Sequence, residues 1–518
     1  MGSRYIFSES RSGEIVPSII IAPGNSKPLH SLIDPKREAE RLVSTIPQDT
    51  GFVIFLGLGG GFAPQAALAD TTAQVVVIDF DMDGIQELLS SKDYAPLLNN
   101  VRFSLLTDFT LDEIKAFILA NYNPALCGGI KVIPLRTRTE HDFEKFNKAA
   151  AVIQEAIEAA SADFSVQAHF GLRWFSNIIR NIKNAETVSP AFHAKKIKEA
   201  AVVAAGPSLD GQITALTEFK SRGVSIICSD TALPVLLHNG IEPDAVVSID
   251  CQHISHYHFF GCNIKNIPLV LDIASPPLLS RLSVMPVFFS GGHPLALYIS
   301  RYWRPLPLLD TSGGNVTYAC LSLAENLGAE NITLFGADFS YIRSQSYARG
   351  TYINPYFERK QNRFHPLEAL SSAFLYRAPF LPRENENQVY RETQSLRFYR
   401  QKLEEKASTT PAQISVFPGQ GAPINLTNKI AHNTIKTNSV KTAPENQYKN
   451  GIEFLEQYRA EIAAMPANGF NEKERQTFTT LLPTAAALKH RNPEIKTTEL
   501  IEETKHYCIR QIDKILFS

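Results

Sequence analysis

The chain is poor in the residues that build cross-linked or metal-bound scaffolds. Its 518 residues include only six cysteines, and no two of them form a CxxC pair. Neither a disulfide framework nor a structural zinc site is therefore expected. The 51 basic and 52 acidic residues give a formal net charge of −1, so no overall field would attract nucleic acid or anionic lipid.

Long apolar runs are also missing. No stretch of about 18 apolar residues is present, so no transmembrane helix is predicted. The N-terminal residues lack the apolar core of a signal peptide. Hydrophobic residues make up 44% of the chain, which is ordinary for a globular protein with a large core. The sequence thus predicts a cytoplasmic protein.

The length predicts roughly two to four domains, and the residue pattern separates four segments. They are an N-terminal α/β domain at 1–145, a helical connector at 146–194, a central domain at 195–387 and a helical C-terminal region at 388–518. In the first segment, apolar runs at Phe52–Leu56 and Val75–Ile78 predict buried strands within βαβ units. A polar stretch at 427–447 is predicted to be a linker.

The central segment alternates strands and helices most clearly. Short β-branched runs predict six strands, at Ala201–Ala205, Val224–Cys228, Ala245–Ile249, Leu269–Ile273, Val287–Phe289 and Ile332–Phe335. Helical patterns follow several of them, for example at Asn315–Leu327. Such alternation is typical of a mainly parallel sheet with helices on both faces, which places the chain in the α/β class.

The first predicted strand leads into a tight turn, Gly206-Pro207-Ser208. Gly206 has no Cβ, so the backbone could approach a ligand closely. Ser208 is predicted to cap the next helix, whose free amides could receive a phosphate. The alternative is a simple strand-to-helix turn with a capping serine.

Polar residues follow the next two strands as well. Asp230 follows the second strand, and Asp250 with Gln252 follows the third. Carboxylates at the carboxyl ends of parallel strands can accept hydrogen bonds from ribose hydroxyls or a base amine, although loop acids that cap helices are an equal alternative. Asp244 precedes its strand and is predicted to be structural.

Two later segments carry further candidates. The residues Thr311, Ser312, Gly313, Gly314 and Asn315 lie directly before a predicted helix, where amides and hydroxyls suit a phosphate or carboxylate. The alternative is a loop whose glycines serve turn geometry. Asp338 follows a predicted strand, and Tyr341 and Tyr347 come next, six residues apart. Their phenols could donate to a leaving phosphate, although packing is the commoner role of tyrosine.

Histidines and a second glycine loop complete the candidates. An unperturbed pKa of about 6.5 would suit His365 to proton abstraction. His253, His256 and His258 are predicted to lie in a solvated loop and not to bind a metal. Gly57–Gly61 resembles a dinucleotide or methyl-donor loop, with Asp79 ending the next strand, but Phe62 departs from the full motif.

With these residues in view, the chain resembles the motility-associated factor (Maf) family of flagellin glycosyltransferases over roughly residues 28–430. The resemblance rests on ordered segments: LHSLIDPKREAERL, FLGLGGG, FGLRWFSNIIRNI, AAGPSLD, SDTALPVLLHNGIEPDAVVSID, SGGNVTYACLSLAENLGAENITLFGADFSY and PGQGAPI. The central part is MptE-like and is also similar to bacterial sialyltransferases that use CMP-activated sugars. The resemblance implies a Rossmann-like, sialyltransferase-type central domain.

The resemblance also implies a reaction. A nonulosonic acid, such as a pseudaminic or legionaminic acid, would pass from CMP to a Ser or Thr hydroxyl of flagellin with inversion and without a metal. Tyr341 and Tyr347 would hold the leaving phosphate, and His365 or another base would take the proton. The substrate-binding positions would be Gly206, Pro207, Ser208, Asp230, Asp250, Gln252, Thr311, Ser312, Gly313, Gly314, Asn315 and Asp338.

Some positions depart from the sialyltransferase pattern. Ala205 and Asp230 stand where those enzymes carry asparagine, and the tyrosine pair comes one residue late after Asp338. Two other functions stay open. One is an ATP- and magnesium-dependent pyrophosphokinase like the archaeal hydroxymethylpterin enzyme, for which Asp230, Asp250 and Asp338 could hold the metal. The other is a flagellin-binding protein without catalytic activity.

Overall fold

The computed structural model describes residues 3–92, 94–188, 196–385, 388–426, 448–466 and 471–517. The linker predicted at 427–447 and the boundary predicted at 194 lie outside the described residues. The chain forms two compact units. The first comprises Met1–Gly171 and Leu482–Thr504, and the second comprises Leu172–Leu481 and Lys505–Ser518. The long helix of the predicted connector contributes residues to both units.

The first unit holds the N-terminal strands and helices. In chain order they are β1 (Tyr5–Glu9), β2 (Ile15–Ala22), β3 (Asn25–Pro28), α1 (Pro35–Val43), β4 (Thr50–Leu56), α2 (Phe62–Asp70), β5 (Gln74–Ile78), α3 (Met82–Ser91), α4 (Ala95–Leu98), β6 (Phe103–Leu106), α5 (Leu111–Asn121), α6 (Pro124–Cys127), β7 (Gly129–Pro134), α7 (Arg136–His141) and α8 (Phe143–Glu186).

A parallel sheet with the strand order β6-β5-β4-β7 forms the centre of this unit. Both predicted strands, β4 and β5, are in the middle of the sheet, and their apolar side chains enter cores on both faces. Strands that are buried on both faces read as continuous apolar runs, which is why the sequence revealed these two. A separate antiparallel sheet, β1-β2-β3, was not predicted.

The remaining elements belong to the second unit, except that parts of the last two helices belong to the first unit. Its elements are β8 (Glu199–Val203), α9 (Ile213–Ser221), β9 (Ser225–Ser229), α10 (Leu233–His238), β10 (Ala245–Ser248), α11 (Ser255–His258), β11 (Leu269–Asp272), β12 (Pro286–Phe289), α12 (Pro294–Tyr302), α13 (Val316–Asn326), β13 (Asn331–Phe335), β14 (Tyr341–Ile342), α14 (Ile353–Lys360), α15 (Leu367–Leu375), β15 (Phe380–Asn385), β16 (Gln388–Thr393), α16 (Gln394–Thr409), β17 (Gln413–Val416), α17 (Gly451–Ala464), α18 (Glu472–Arg491) and α19 (Thr497–Leu516).

Seven parallel strands form the main sheet of the second unit, in the order β12-β11-β10-β9-β8-β13-β17. All six predicted central strands are present, so the predicted α/β class and Rossmann-like centre are confirmed. The chain runs outward from β8 to β12 and then returns to pair β13 with β8. This reversal creates a switch point at the carboxyl ends of β8 and β13, where open α/β sheets bind ligands.

The region after residue 388, predicted to be helical, also contributes strands. β17 extends the main sheet beyond β13, and β16 pairs with β14 and β15 in a small antiparallel sheet. This pairing with residues 388–393 holds the loop around Tyr341 near the carboxyl edge of the main sheet. The four-segment division otherwise stays a prediction.

Two asparagines of α8 close part of that carboxyl edge. The side-chain amide of Asn177 donates to the carbonyls of Cys251 and Ala274 at 3.0 and 2.8 Å, and that of Asn181 donates to Ile273 and Ser275 at 2.8 Å each. Both side chains are buried. The helix therefore satisfies carbonyls in the loops after β10 and β11 that would otherwise lack partners.

Candidate active site at the carboxyl edge of the main sheet

The turn after β8 packs directly against the end of β13. The amide of Gly206 donates to the carbonyl of Gly336 at 2.9 Å. A Cβ on Gly206 would lie 2.4 Å from that carbonyl oxygen and 2.4 Å from Oδ2 of Asp338. Since contacts this short do not occur, the position requires glycine. The close approach predicted for Gly206 thus occurs between two parts of the chain itself.

Ser208 does not cap a helix, which corrects the prediction. Residues Pro207–Gly211 form a 3₁₀ turn, and α9 begins only at Ile213 without a side-chain cap. The amide of Ser208 donates to Asp338 Oδ2 at 2.7 Å, and its hydroxyl accepts from the amide of Gln420 at 2.8 Å. The buried carboxylate of Asp338 thus occupies the position that the sequence assigned to a phosphate.

Asp338 joins a second glycine-rich loop to this turn. A Cβ on Gly421 would lie 2.5 Å from the Cα of Asp338, and one on Gly419 would lie 2.9 Å from Oγ of Ser208. Burial raises the pKa of Asp338, while the hydrogen bonds from Ser208 oppose the rise. The PGQGAP segment is therefore a closing element that packs on the switch point.

The carboxylate at the end of β9 is fully buried and paired. Asp230 Oδ1 lies 3.1 Å from His258 Nδ1 and accepts from the amide of Thr231 at 2.7 Å. Its Oδ2 accepts from the hydroxyl of Ser248 at 2.7 Å. Burial acts to raise the pKa of Asp230, but the charge of His258 together with hydrogen bonds from His258, Ser248 and Thr231 outweighs it, so the pKa lies below its usual range. With both oxygens engaged, Asp230 is better placed to hold His258 than to contact a substrate.

His258 was predicted to lie in a solvated loop, and this prediction was wrong. His253 is exposed and His256 half-buried, but His258 ends the short helix α11 and is buried. Its ring lies 4.3 Å from that of Tyr352, centroid to centroid. Burial acts to lower the pKa of His258, yet the adjacent Asp230 raises it above the usual value.

Tyr347 lies among these groups. Its ring is 6.2 Å from that of Tyr352. Burial raises the pKa of Tyr347 to about 12, with the charges of Tyr341 and Asp230 adding to the rise and that of Arg377 opposing it. Burial raises the pKa of Tyr352 as well. Both phenols therefore stay protonated near neutral pH and can act as hydrogen-bond donors.

The tyrosine loop is tied to the turn after β8. The amide of Ala348 donates to the carbonyl of Ala205 at 2.9 Å, and the amide of Arg349 donates to Oδ1 of Asp210 at 2.8 Å. Because Ala205 immediately precedes Gly206, the loop that carries Tyr347 crosses the carboxyl end of β8. Gly206 and Tyr347 therefore lie at the same edge.

The Thr311–Asn315 loop packs against Tyr399, a residue near the tyrosine cluster that the sequence did not single out. A Cβ on Gly314, whose φ is +71°, would lie 3.1 Å from the ring of Tyr399 on α16, and the charge of Tyr399 also acts on the pKa of Tyr347. Asn315 caps α13 by accepting from the amide of Tyr318 at 3.0 Å. No motif distinguishes Tyr399 from the other aromatic residues of its helix.

Two amides at the start of α13 stay open. Within the described part of the chain, the amides of Val316 and Thr317 have no hydrogen-bond acceptor. The hydroxyl of Thr311 donates to the carbonyl of Gly291 at 3.1 Å, whereas Ser312 is exposed and donates its amide to Asp310 at 3.0 Å. Gly313 is fixed by packing, since a Cβ there would lie 2.1 Å from the ring of Tyr318. Two free donors at a helix N-terminus suit an anion, and the anion site at this loop stays a prediction.

Asp250 and Gln252 lie at the end of β10. The amide of Gln252 donates to Oδ1 of Asp250 at 2.8 Å, and burial raises the pKa of this carboxyl. Asp244 accepts from the amide of Ile226 at 2.7 Å and from Lys220 at 2.9 Å, so its predicted structural role is confirmed.

His365 lies apart from the buried cluster. It is exposed in a turn between α14 and α15, and its amide donates to the side chain and the carbonyl of Asn362 at 3.1 Å each. A cavity of about 690 Å³ is also separate from the tyrosines. It is bordered by residues that include Asp210, His238, Phe260 and Arg349, and it approaches the site only where Arg349 follows Ala348.

In the first unit, the glycine loop after β4 is filled by its own neighbours. The amide of Leu58 donates to Asp79 at 3.1 Å, and that of Gly60 donates to Nε2 of His30 at 2.8 Å. Asp79 is itself paired with the fully buried Arg138 at 2.6 Å. A Cβ on Gly57 would lie 2.8 Å from Arg138. This packing favours the structural interpretation of the loop over a cofactor site.

Two wider properties of the described residues bear on partners. None of their helices combines the length and the apolar character needed to cross a bilayer. Across the same ranges, no three His, Cys, Asp or Glu side chains gather as a group that could hold a metal ion.

Comparison with known proteins supplies the family. Residues 174–344 match the family described as 6-hydroxymethylpterin diphosphokinase MptE-like. Two uncharacterized proteins of Treponema pallidum (strain Nichols) are similar to the chain. One is 39% identical over 119 residues, which are 22% of this chain and 42% of that protein. The other is 31% identical over 186 residues, which are 34% of this chain and 88% of that protein. The chain thus spans less than half of the first relative.

A solved structure gives the fold of the whole chain. The Maf glycosyltransferase from Magnetospirillum magneticum AMB-1 aligns with a TM-score of 0.58 at 14% identity, over 100% of this chain and 92% of that one. Identity this low speaks to fold alone. Together with the family match and the relative covered over most of its length, it identifies the chain as a member of the MptE-like family with the fold of a Maf protein.

Proposed function

We propose that the chain is a glycosyltransferase that moves a nonulosonic, sialic-acid-like sugar from a CMP donor to Ser or Thr hydroxyls of flagellin, with inversion. The observation that carries the proposal is the gathering of protonated phenols, open helix amides and an Asp–His pair at one edge of the parallel sheet. The Maf-like fold supports the reaction class. Flagellin and the CMP donor rest on the sequence resemblance.

The phosphate of the donor would meet Tyr347, Tyr341 and the N-terminus of α13. A protonated phenol donates to oxygens that gain charge as the sugar leaves, so it stabilises the transition state more than the ground state. The turn at Gly206, Pro207 and Ser208 would support this site by packing and not by its amide, because the amide of Ser208 already donates to Asp338. Departure of CMP by this route needs no metal.

The first test is binding. Titration calorimetry with CMP in the presence of EDTA should give heat of binding at the wild-type chain, and ATP should give none. A second test is turnover of CMP-pseudaminic acid with flagellin, followed by intact-protein mass spectrometry. A flagellin mass that stays unchanged, together with no CMP binding, would refute the proposal.

Tyr347→Phe probes the phenol itself. Loss of one well-aimed donor should reduce kcat by about 10²–10³, with the affinity for CMP little changed. Tyr257→Phe is the matched control, because Tyr257 is on the exposed side of α11. Equal activity of the two variants would contradict the role of Tyr347.

The second candidate is a pyrophosphokinase, which the MptE-like match favours. Such chemistry would use ATP, magnesium and a carboxylate cluster. Asp230 is engaged with His258, and Asp338 with Ser208, so both would have to exchange partners. Thermal stabilisation by ATP only with magnesium, and none by CMP, would select this function. A non-catalytic flagellin-binding protein would instead bind flagellin but consume neither nucleotide.

A further inference from the structure

The buried Asp230–His258 pair was not among the predicted catalytic residues, and its geometry differs from that of an ordinary ion pair. Asp230 is fully buried, whereas the side chain of His258 keeps 10% of its surface exposed. Nδ1 faces the buried carboxylate, and Nε2, on the other side of the ring, is not among the fully buried polar atoms without a partner in the described residues. Within the residues that the structure describes, Nε2 has no hydrogen-bond partner.

Hydrogen bonds fix the carboxylate of Asp230, and the carboxylate in turn orients the ring of His258. Thr231 donates its amide and hydroxyl to Oδ1 of Asp230, at 2.7 and 3.1 Å, and Ser248 donates to Oδ2 at 2.7 Å. These three donors come from the ends of neighbouring strands, β9 and β10. A carboxylate fixed in this way keeps the proton of the neutral imidazole on Nδ1, which leaves the lone pair on Nε2.

The ring of His258 packs against the tyrosine cluster of Tyr352 and Tyr347. The ring of Tyr352 lies 4.3 Å from that of His258 and 6.2 Å from that of Tyr347. The charge of Asp230 reaches Tyr347 strongly enough to affect its pKa. A sugar whose phosphate is held by Tyr347 would therefore have its reactive carbon near His258.

We propose that His258 is the general base of the transfer, with Asp230 as its positioning residue. The inference rests on the proposed glycosyl transfer. Nε2 takes the proton of the acceptor hydroxyl while the hydroxyl oxygen forms its bond to the anomeric carbon. The bond from that carbon to the phosphate oxygen breaks, and its electron pair leaves with CMP. The imidazolium later releases the proton to solvent, so one proton and one sugar move for each CMP formed.

His365, the base that the sequence resemblance suggested, has no such arrangement. It is exposed, and its recorded hydrogen bonds are made by its backbone to Asn362. No carboxylate of the described residues forms an ion pair with it. The pair at β9 therefore offers a buried and oriented base, which the exposed turn lacks.

The experiment measures CMP released from CMP-pseudaminic acid with flagellin as the acceptor across pH 5–9, alongside calorimetry with CMP alone. His258→Gln should lower kcat by about 10²–10⁴, the range of general-base catalysis, while its affinity for CMP stays within about twofold of wild type. His253→Gln is the matched control, since His253 lies exposed in the same segment. His365→Gln is measured in parallel and should also keep wild-type turnover.

The pH profile separates proton transfer from a structural role. A base must be neutral to accept a proton, so wild-type kcat should rise with pH through the pKa of His258. The charges of Asp230 and Asp250 act on the ring, Asp230 more strongly, and the phenol of Tyr352 packs against it. Asp230→Asn removes that charge, so the rising limb should move to lower pH. This second variant keeps the test valid if His258→Gln does not fold.

The outcomes are distinct. If wild type neither binds CMP nor releases it from the donor, the proposed function fails and the base assignment fails with it. If wild type is active but His258→Gln keeps its kcat, or if Asp230→Asn leaves the rising limb in place, only the base assignment is overturned. Loss of turnover in His365→Gln alone would return the role to His365.

Discussion

Replacing Gly206 by alanine tests the packing at the switch point of the main sheet. The new Cβ would lie 2.4 Å from the carbonyl oxygen of Gly336 and 2.4 Å from Oδ2 of Asp338. The φ of Gly206 is −66°, so alanine meets no backbone strain there and the whole effect is steric. Since one of the two contacts is backbone, it cannot be relieved by a rotamer change. Overpacking of this kind costs about 1–3 kcal/mol.

Gly211 provides the matched control on the same 3₁₀ turn. A Cβ there would meet nothing within 4 Å. Gly211→Ala should be neutral or stabilise the chain by about 0.4–1 kcal/mol, because alanine restricts the unfolded chain. The two variants should therefore differ by roughly 1–4 kcal/mol in the free energy of unfolding.

The assay is equilibrium urea unfolding of the full chain, followed by tryptophan fluorescence, with CMP calorimetry on the folded variants. Gly206→Ala should unfold at lower urea and bind CMP more weakly, because Asp338 and the loop at Gly421 must move. Equal unfolding midpoints for Gly206→Ala and Gly211→Ala would refute the close packing of β8 on β13. Unchanged CMP binding in a destabilised Gly206→Ala would separate that packing from the nucleotide site.

Three further predictions concern buried polar groups and a second glycine. Asp230→Asn should cost about 3–5 kcal/mol at pH 6 and less at pH 9. Because the pKa of His258 is raised, its ion pair with Asp230 is complete below about pH 6.5 and is lost as the pH rises through the folded-state pKa of His258. A loss of stability in Asp230→Asn that grows with pH would contradict this. Gly57→Ala should cost about 1–3 kcal/mol more than Gly24→Ala. Both glycines have positive φ, but only Gly57 faces a side chain, so equal unfolding midpoints would refute the contact. Asn181→Leu should lower stability by about 2–4 kcal/mol in urea unfolding because it leaves two buried carbonyls unpaired, and a loss below about 0.5 kcal/mol would show that water replaces the amide.

The strands of both parallel sheets could be predicted because they are buried on two faces. β8, β9 and β10 are short runs of Ala, Val and Ile whose residues are nearly all inaccessible to solvent, and such runs stand out against their neighbours. β17 was missed because it has the opposite character. As the last strand of the sheet it alternates exposed and half-buried residues, so its short sequence looks like a loop.

The candidate site could be predicted only in part, since its key contacts join distant segments. Gly206, Asp230, Asp338 and Tyr347 were named because each follows a strand or lies in the next loop. The partner of Asp230 was not, because the local sequence around His258 suggests only a polar loop. One signal was present. β9 and β10 were predicted as consecutive strands, so a carboxylate after one and histidines after the next are expected to be neighbours in a parallel sheet.

The position of the candidate site follows from which loops occupy the carboxyl edge of the main sheet. All seven strands of the main sheet have their carboxyl ends at the same edge, so seven loops begin there. Asn177 and Asn181 fix the loops after β10 and β11 by binding carbonyls of both. The candidate groups lie in the loops after β8, β9, β10 and β13, with Asp230 after β9 and His258 farther along the loop after β10. At β8 and β13 the carboxylate of Asp338 fills the local anion position. If the proposed donor binds at this edge, its phosphate would lie toward Tyr347 and the start of α13, and its sugar would lie toward His258.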